Sequence, residues 1–300
     1  MNKGDPAHAF VLFRVLPLLF LIVPASQAQT RQVDPTWLHR FAPQIKYAQV
    51  DFISPSCHYA PLFGEGDHDN RVLINVARFG EATLDGEGKC QSVQYEREEE
   101  LYFVLAGKGT LHYSDHDYPL RANDFTYIAP GVKHSISNSS KEAFRVVVMT
   151  FKIPSSIAIS TPAAEPKVVN MSELKEETVQ GHPASVLYKL MAGTREATRD
   201  AIDQAYVMVS LFWMDFAPGG TNFPHHHESA EEIYLVIDGD GDMVAGGGMD
   251  GVEGRHPAKA GDAYYFRPNC TVGFYNRNTP GAKAHILAVR SSITLPKAEE

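Results

Sequence analysis

The sequence predicts an all-β chain made of two related units, each a sandwich or barrel of short strands. Three observations carry this. Runs of β-branched and aromatic residues recur at close spacing, and Gly, Pro, Asn and Asp punctuate them. The second half also repeats the first at a nearly fixed offset, the mark of a duplicated unit. Glu100 to Gly109 (ELYFVLAGKG) matches Glu232 to Gly241 (EIYLVIDGDG) at an offset of 132, and Asn123-Asp124 with Pro130 and Asn138 matches Gly261-Asp262 with Pro268 and Asn276 at 138. The difference of six fits a longer Gly-rich hairpin over 245–254.

In chain order, residues 1–28 read as a secretory leader. Lys3 and Arg14 are its only cations, Val15 to Pro24 is an apolar run of h-region length, and Ser26-Gln27-Ala28 supplies small residues at −3 and −1. That run is too short for a bilayer-spanning helix, which needs about 20 apolar residues. No Cys follows it for a lipid anchor, so a periplasmic or secreted chain with no membrane attachment after cleavage is expected. Residues 29–69 form an N-terminal arm. The first unit occupies 70–153, with strands near 72–79, 101–105, 109–113, 125–128 and 144–151. Residues 154–183, opening on the Pro- and Ser-rich stretch 154–166, read as a linker. The second unit occupies 184–292, with strands near 184–191, 206–216, 233–237, 263–266, 271–275 and 284–290, and 293–300 is a tail. Only 172–178 and 194–204 look helical, and both are short. At roughly 130 residues, each half is long enough to bury a core of its own.

Charge and cysteine usage narrow the function. The chain holds 27 Lys+Arg against 36 Asp+Glu, a formal −9, and loss of 1–28 makes it one charge more acidic. With no basic patch, this excludes nucleic-acid binding by phosphate neutralisation and a polybasic membrane-surface module. Three Cys are too few for a disulfide scaffold, and no C-x-x-C offers a thiolate zinc site. Outside the cytoplasm Cys57 and Cys90 can bridge, the alternative being buried thiols.

Thirteen His leave one constellation at ligand spacing. In Pro224-His225-His226-His227-Glu228, residues i and i+2 share a face, so His225 and His227 point inward together while His226 points out. Glu232 opens the next strand and returns to the same place. Two imidazoles and a carboxylate make a three-ligand set for one divalent transition metal, with Fe, Mn, Cu, Ni and Zn all chemically admissible.

The line Gly219-x5-His225-x-His227-x4-Glu232-x6-Gly239 resembles the first cupin motif, and Gly261-Asp262…Pro268…Asn276 approaches the second. Over residues 70–292 the chain is similar to a bicupin. The resemblance implies two tandem double-stranded β-helix (jelly-roll) barrels, a metal held by two His, a Glu and a fourth His, and a homodimer as the common assembly. The fourth ligand position falls on Val272, which cannot coordinate; His285 and Tyr275 are candidates to substitute, His285 being equally readable as a core histidine. In the first unit the two motif His positions hold Val93 and Tyr95, while Glu100 and His134 remain. Tyr95, Glu100 and His134 therefore form a degenerate site, structural or ligand-binding, since a metal normally needs three or four protein ligands. The run Glu96 to Glu100 otherwise reads as a solvated face.

Phe223, Tyr234, Phe266, Phe274 and Tyr275 are expected to line the pocket, with Trp213 and Phe216 nearby. Arg267 and Arg290 are the candidates to hold a carboxylate, and Glu231 is expected to point outward. Three protein ligands leave positions open for substrate, as catalysis requires. The resemblance implies a metal-dependent enzyme acting on a small organic molecule, a quercetinase-like dioxygenase, lyase or isomerase. The competing reading is a periplasmic protein that binds a sugar or organic acid without turnover. Export favours Cu and Zn by affinity.

Overall fold

The computed structural model describes residue 1, residues 34–247 and residues 253–293. The expected leader and the tail from 294 onward lie outside the described residues.

Among the described residues, nineteen strands and three short 3-10 turns account for the regular structure. The first half carries β1 (Trp37–Phe41), β2 (Cys57–Gly64), β3 (Val76–Leu84), β4 (Glu98–Ala106), β5 (Lys108–Tyr113), β6 (His116–Arg121), β7 (Asp124–Ile128), β8 (His134–Ser137) and β9 (Phe144–Lys152). The second carries β10 (Val168–Asn170), β11 (Val186–Thr194), β12 (Ile202–Ala205), β13 (Met208–Phe216), β14 (Ala230–Asp238), β15 (Asp240–Gly246), β16 (Glu253–Lys259), β17 (Asp262–Phe266), β18 (Thr271–Asn276) and β19 (Ala284–Ser292). Each half is a large sheet closed by a three-stranded one. In the first, β10-β7-β4-β9-β3-β2 faces β6-β5-β8; in the second, β1-β17-β14-β19-β13-β11-β12 faces β16-β15-β18.

The offset of 132 becomes a structural equivalence. The turn after β4 passes through Gly107 at φ 81° and the turn after β14 through Gly239 at φ 81°. A Cβ would stand 2.5 Å from Ala143 O at the first and 2.1 Å from Lys283 O at the second, so only glycine fits either place. Both motif asparagines tie down neighbouring loops: Asn138 Nδ2 donates to Asp85 O and Glu142 O, and Asn276 Nδ2 to Phe216 O and Ala217 O.

Four expectations need correction. The first barrel's sheet begins at Cys57 rather than residue 70, because β2 pairs with β3; Pro61 and a register shift beside it mask the strand in sequence. The helical readings fail: 172–178 holds only the end of a 3-10 turn (Met171–Glu173), and 194–204 feeds strand β12. The run 96–100 is not a solvated face, since Glu99 and Glu100 are 0% and 2% exposed. Arm and linker are not mere connectors either. Strand β1 pairs with β17 of the second barrel, and β10 pairs with β7 of the first, so each half lends its leading strand to the other.

Each barrel has its own interior cluster, one around Tyr59, Phe144 and Val146 and one around Phe216, Phe274 and Ile286. The third and largest cluster belongs to both halves: Phe79, Phe103, Phe125 and Met149 pack against Leu211, Ile233, Tyr265 and Val289. Cys57 and Cys90 form a disulfide with Cα atoms 5.0 Å apart, and Cys270 is buried in the second barrel.

Candidate metal centre in the C-terminal barrel

The site is built by the pleat of β14 and the loop before it. On β14, Tyr234 and Val236 face the barrel interior while Ile233 and Leu235 face the other barrel. Glu232 shares the inward parity, so it opens onto the interior, 2% exposed. His225 is fixed by a two-way backbone bridge to Val272, N to O at 2.9 Å and O to N at 2.8 Å. Its Nδ1 donates to Phe223 O at 2.8 Å, which leaves the Nε2 lone pair free. Phe223 sits at φ 54°, a left-handed strain for a non-glycine, braced by its N–H on Thr221 Oγ1.

The ligating atoms of His225, His227 and Glu232 all lie within 4.8 Å of one another. His227 Nε2 stands 3.2 Å from Glu232 Oε2. That carboxylate oxygen is buried and makes no hydrogen bond among the described residues. Burial pushes the Glu232 carboxyl up, but His227 and Arg290 beside it hold it below the ordinary carboxylate range. Burial pushes His225 below the usual imidazole range. An ionised carboxylate and a neutral imidazole are the forms a divalent ion takes.

Around them, a cavity of about 60 Å³ is walled by Val179, His182, Tyr188, Phe212, Tyr234 and Arg290. It has room for only a handful of water-sized groups. Arg290 Nη2 donates to Ser210 Oγ at 3.0 Å, and Nη1 lies 3.1 Å from His227 Nε2. The Tyr188 hydroxyl is buried and unpartnered among the described residues; burial, then Glu232, pushes its pKa up.

The cupin domain family matches residues 81–150 and 212–290, one stretch in each barrel. Among solved structures, a putative glyoxylate-induced protein from Pseudomonas aeruginosa aligns with TM-score 0.68 at 14% identity, covering 93% of this chain and 96% of that one. An oxalate decarboxylase from Lactobacillus farciminis, in complex with formate, aligns with TM-score 0.60 at 13% identity over 86% of each. The chain is a bicupin of the cupin superfamily. At these identities the solved structures speak for the fold alone. An oxalate-binding protein from Thermotoga maritima is 37% identical over 46 residues, so this bicupin spans only 38% of that curated relative's length.

Several expected residues do not reach the centre of this bicupin. On β19 the inward parity belongs to Ala284, Ile286 and Ala288, so His285 faces the opposite way. It sits 3.5 Å from both Asp215 and Asp238 and stacks on Trp213. Trp213 in turn faces the first barrel, against Phe103. Tyr275 lies under Arg255, 3.8 Å from guanidinium carbon to ring centroid. Phe223 is 53% exposed. Phe274 and Phe216 pack edge-to-face in the barrel core and Phe266 against Tyr234, so none of the three walls the cavity. Arg267 serves the arm through its backbone N–H on Thr36 O, away from the cavity. Arg290 and Tyr234 are where they were expected. Sequence reasoning missed His182 and Tyr188, the first because it sits in the linker, the second because the weak repeat of β2 and β11 hides its counterpart Tyr59.

The first barrel keeps Glu100 and His134 in contact, Oε2 to Nε2 at 2.7 Å. Tyr95 is half-buried, its hydroxyl donating to Asp51 Oδ1 at 2.7 Å and its ring capped by Arg78. No third metal donor joins Glu100 and His134 among the described residues.

Glu231 also requires correction. It points away from the site but not to solvent, being 1% exposed. Its carboxylate accepts the backbone N–H groups of Ile74, Asn75 and Val76 and the hydroxyls of Tyr265 and Ser291. Glu99, 132 positions earlier, accepts N–H groups from Tyr206, Val207 and Met208 and the hydroxyl of Tyr127. Each half grips the other through one buried carboxylate.

Proposed function

We propose that the C-terminal barrel holds one divalent transition metal on His225, His227 and Glu232, and that this bicupin acts there on a small organic acid. The buried Glu232 oxygen, with no well-formed hydrogen bond and two imidazole nitrogens beside it, is the observation that carries the metal reading. Such a set matches the softness and number of donors that Fe, Mn, Cu, Ni and Zn accept. A metal bound this way supplies Lewis-acid polarisation of an oxygen ligand and keeps open positions for it.

The chain's own groups define the substrate. Arg290, braced by Ser210, offers a guanidinium to a carboxylate at the edge of the cavity. The Tyr188 hydroxyl, kept protonated by burial, can donate a second hydrogen bond. Tyr234 and Phe212 exclude water and lower the local dielectric. A cavity of about 60 Å³ favours an acid of a few heavy atoms over an extended aromatic substrate of the quercetinase-like kind. The oxalate-binding relative and the oxalate decarboxylase fold neighbours support the same substrate class. Residues 1–28 make it an exported protein, and the Cys57–Cys90 disulfide supports an oxidising compartment.

The test is metal analysis and turnover of the purified chain with a panel of two- to four-carbon acids. Wild type should carry one ion per chain and lose it in His225→Ala and Glu232→Ala, with turnover lost in parallel. A metal-free wild type purified without chelator overturns the reading. Acid-dependent thermal stabilisation without turnover would favour a binding protein, the reading the oxalate-binding relative supports.

A further inference from the structure

We propose that His182, from the segment between the barrels, is the fourth imidazole of this metal site and takes the place vacated at Val272. The inference rests on the metal reading of His225, His227 and Glu232. Val272 is 1% exposed and tied by its backbone to His225, so no ligand can come from its strand position.

His182 meets the same conditions as His225. Its Nδ1 is 2.7 Å from Asn222 O, just as His225 Nδ1 is 2.8 Å from Phe223 O. Two consecutive carbonyls of one loop thus each pin an imidazole at Nδ1 and select the tautomer with a free Nε2 lone pair, the second-shell pattern of metal-bound histidine. The platform is stiff. Asn222, 1% exposed, donates its side-chain amide to Tyr234 Oη at 2.9 Å and accepts Phe274 N–H at 2.8 Å. His182 walls the same cavity as the three donors. Its ring lies 5.1 Å from that of His225 at an interplanar angle of 77°, nearly repeating the 5.0 Å and 81° between His225 and His227. It stands just outside the tight cluster of three, on the wall of the same cavity.

Copper(II) titration of the full metal-stripped chain tests this, with affinity read by chelator competition and coordinated nitrogens counted by electron paramagnetic resonance. Wild type should show three imidazole nitrogens. His182→Ala should show one fewer and bind copper about tenfold or more weakly. His182→Gln, which keeps the bulk of the side chain, should behave like His182→Ala, and the melting curves of both metal-free variants show whether they fold. Wild-type affinity and an unchanged spectrum in both variants, with copper lost in His225→Ala, overturns the fourth-ligand assignment and leaves the metal reading standing. Failure of wild type itself to take up copper overturns both.

Discussion

At equivalent positions the two barrels carry the same functional groups on exchanged partners. The cross-strand bridge that pairs Val93 with His134 in the first barrel pairs His225 with Val272 in the second. Opposite one another on neighbouring strands stand Arg78 and Thr150 in the first barrel and Ser210 and Arg290 in the second. These equivalent positions therefore bring an imidazole and a guanidinium to each barrel's glutamate from opposite sides, and the second barrel adds His227. Arg290→Gln should weaken acid binding by about 10- to 100-fold, the loss of a charged hydrogen bond, with metal content unchanged. Calorimetric titration of the loaded protein with the acid checks this. The Glu100–His134 pair makes a pH prediction. Burial alone would push His134 down and Glu100 up, but each partner's charge reverses this, so His134 lies above 6.5 and Glu100 below 4.5. The pair's stabilisation is then complete between those two values. It is lost as pH rises through the raised His134 value, and as pH falls through the depressed Glu100 value. His134→Ala should therefore flatten the stability loss on the alkaline side, measured by urea unfolding at about pH 5.5 and about pH 9. The proposed triplet, His225, His227 and Glu232, was legible because strand parity and the spacing to Glu232 bring the three together. The fates of His285, Tyr275 and His182 were not, since they depend on which face of a strand meets the other barrel and where a linker crosses.

Strands β4 and β14 each work on both faces. Their successive glutamates, Glu99-Glu100 and Glu231-Glu232, send one carboxylate to the other barrel and one to their own interior. Glu231→Ala would strand three backbone N–H groups in an apolar interface. It should cost about 3–5 kcal/mol, read from chemical unfolding, and Glu99→Ala should cost a similar amount. Burial pushes the Glu99 carboxyl up even against its three N–H donors, so its share in this grip is opposed by desolvation. The disulfide between β2 and the loop before β4 closes a separation of 33 residues, and Cys57→Ser with Cys90→Ser should lower stability by about 3–4 kcal/mol. The repeat was visible in the sequence because its strands carry long matching runs with fixed glycines. Strands β1 and β10 were not visible, because five and three residues hold too little periodicity to name a partner in the other half.

At the scale of the whole molecule, exchanged leading strands and a shared core make the halves one cooperative body. Two ties accompany the exchange: the buried Asn170 donates to Asp124 Oδ1 at 2.7 Å in β10, and the partly exposed His39 in β1 sets its Nε2 2.8 Å from Asp262 Oδ1. Calorimetry should show a single unfolding transition, and removal of residues 34–44 should lower it as a whole; two separate transitions would contradict the shared core. Duplication with roughly 130 residues per half was readable in the sequence, but the independence it suggested was not, since the inter-barrel faces are ordinary apolar strand positions. Glu231 also gives the first barrel a reason to persist. Among the described residues that barrel sets no third metal donor beside Glu100 and His134, yet it anchors the strand on which Glu232 is mounted. Changes around Asn75 in one domain should therefore alter retention of the proposed metal in the other, and the second barrel made alone would hold His225, His227 and Glu232 without their mounting.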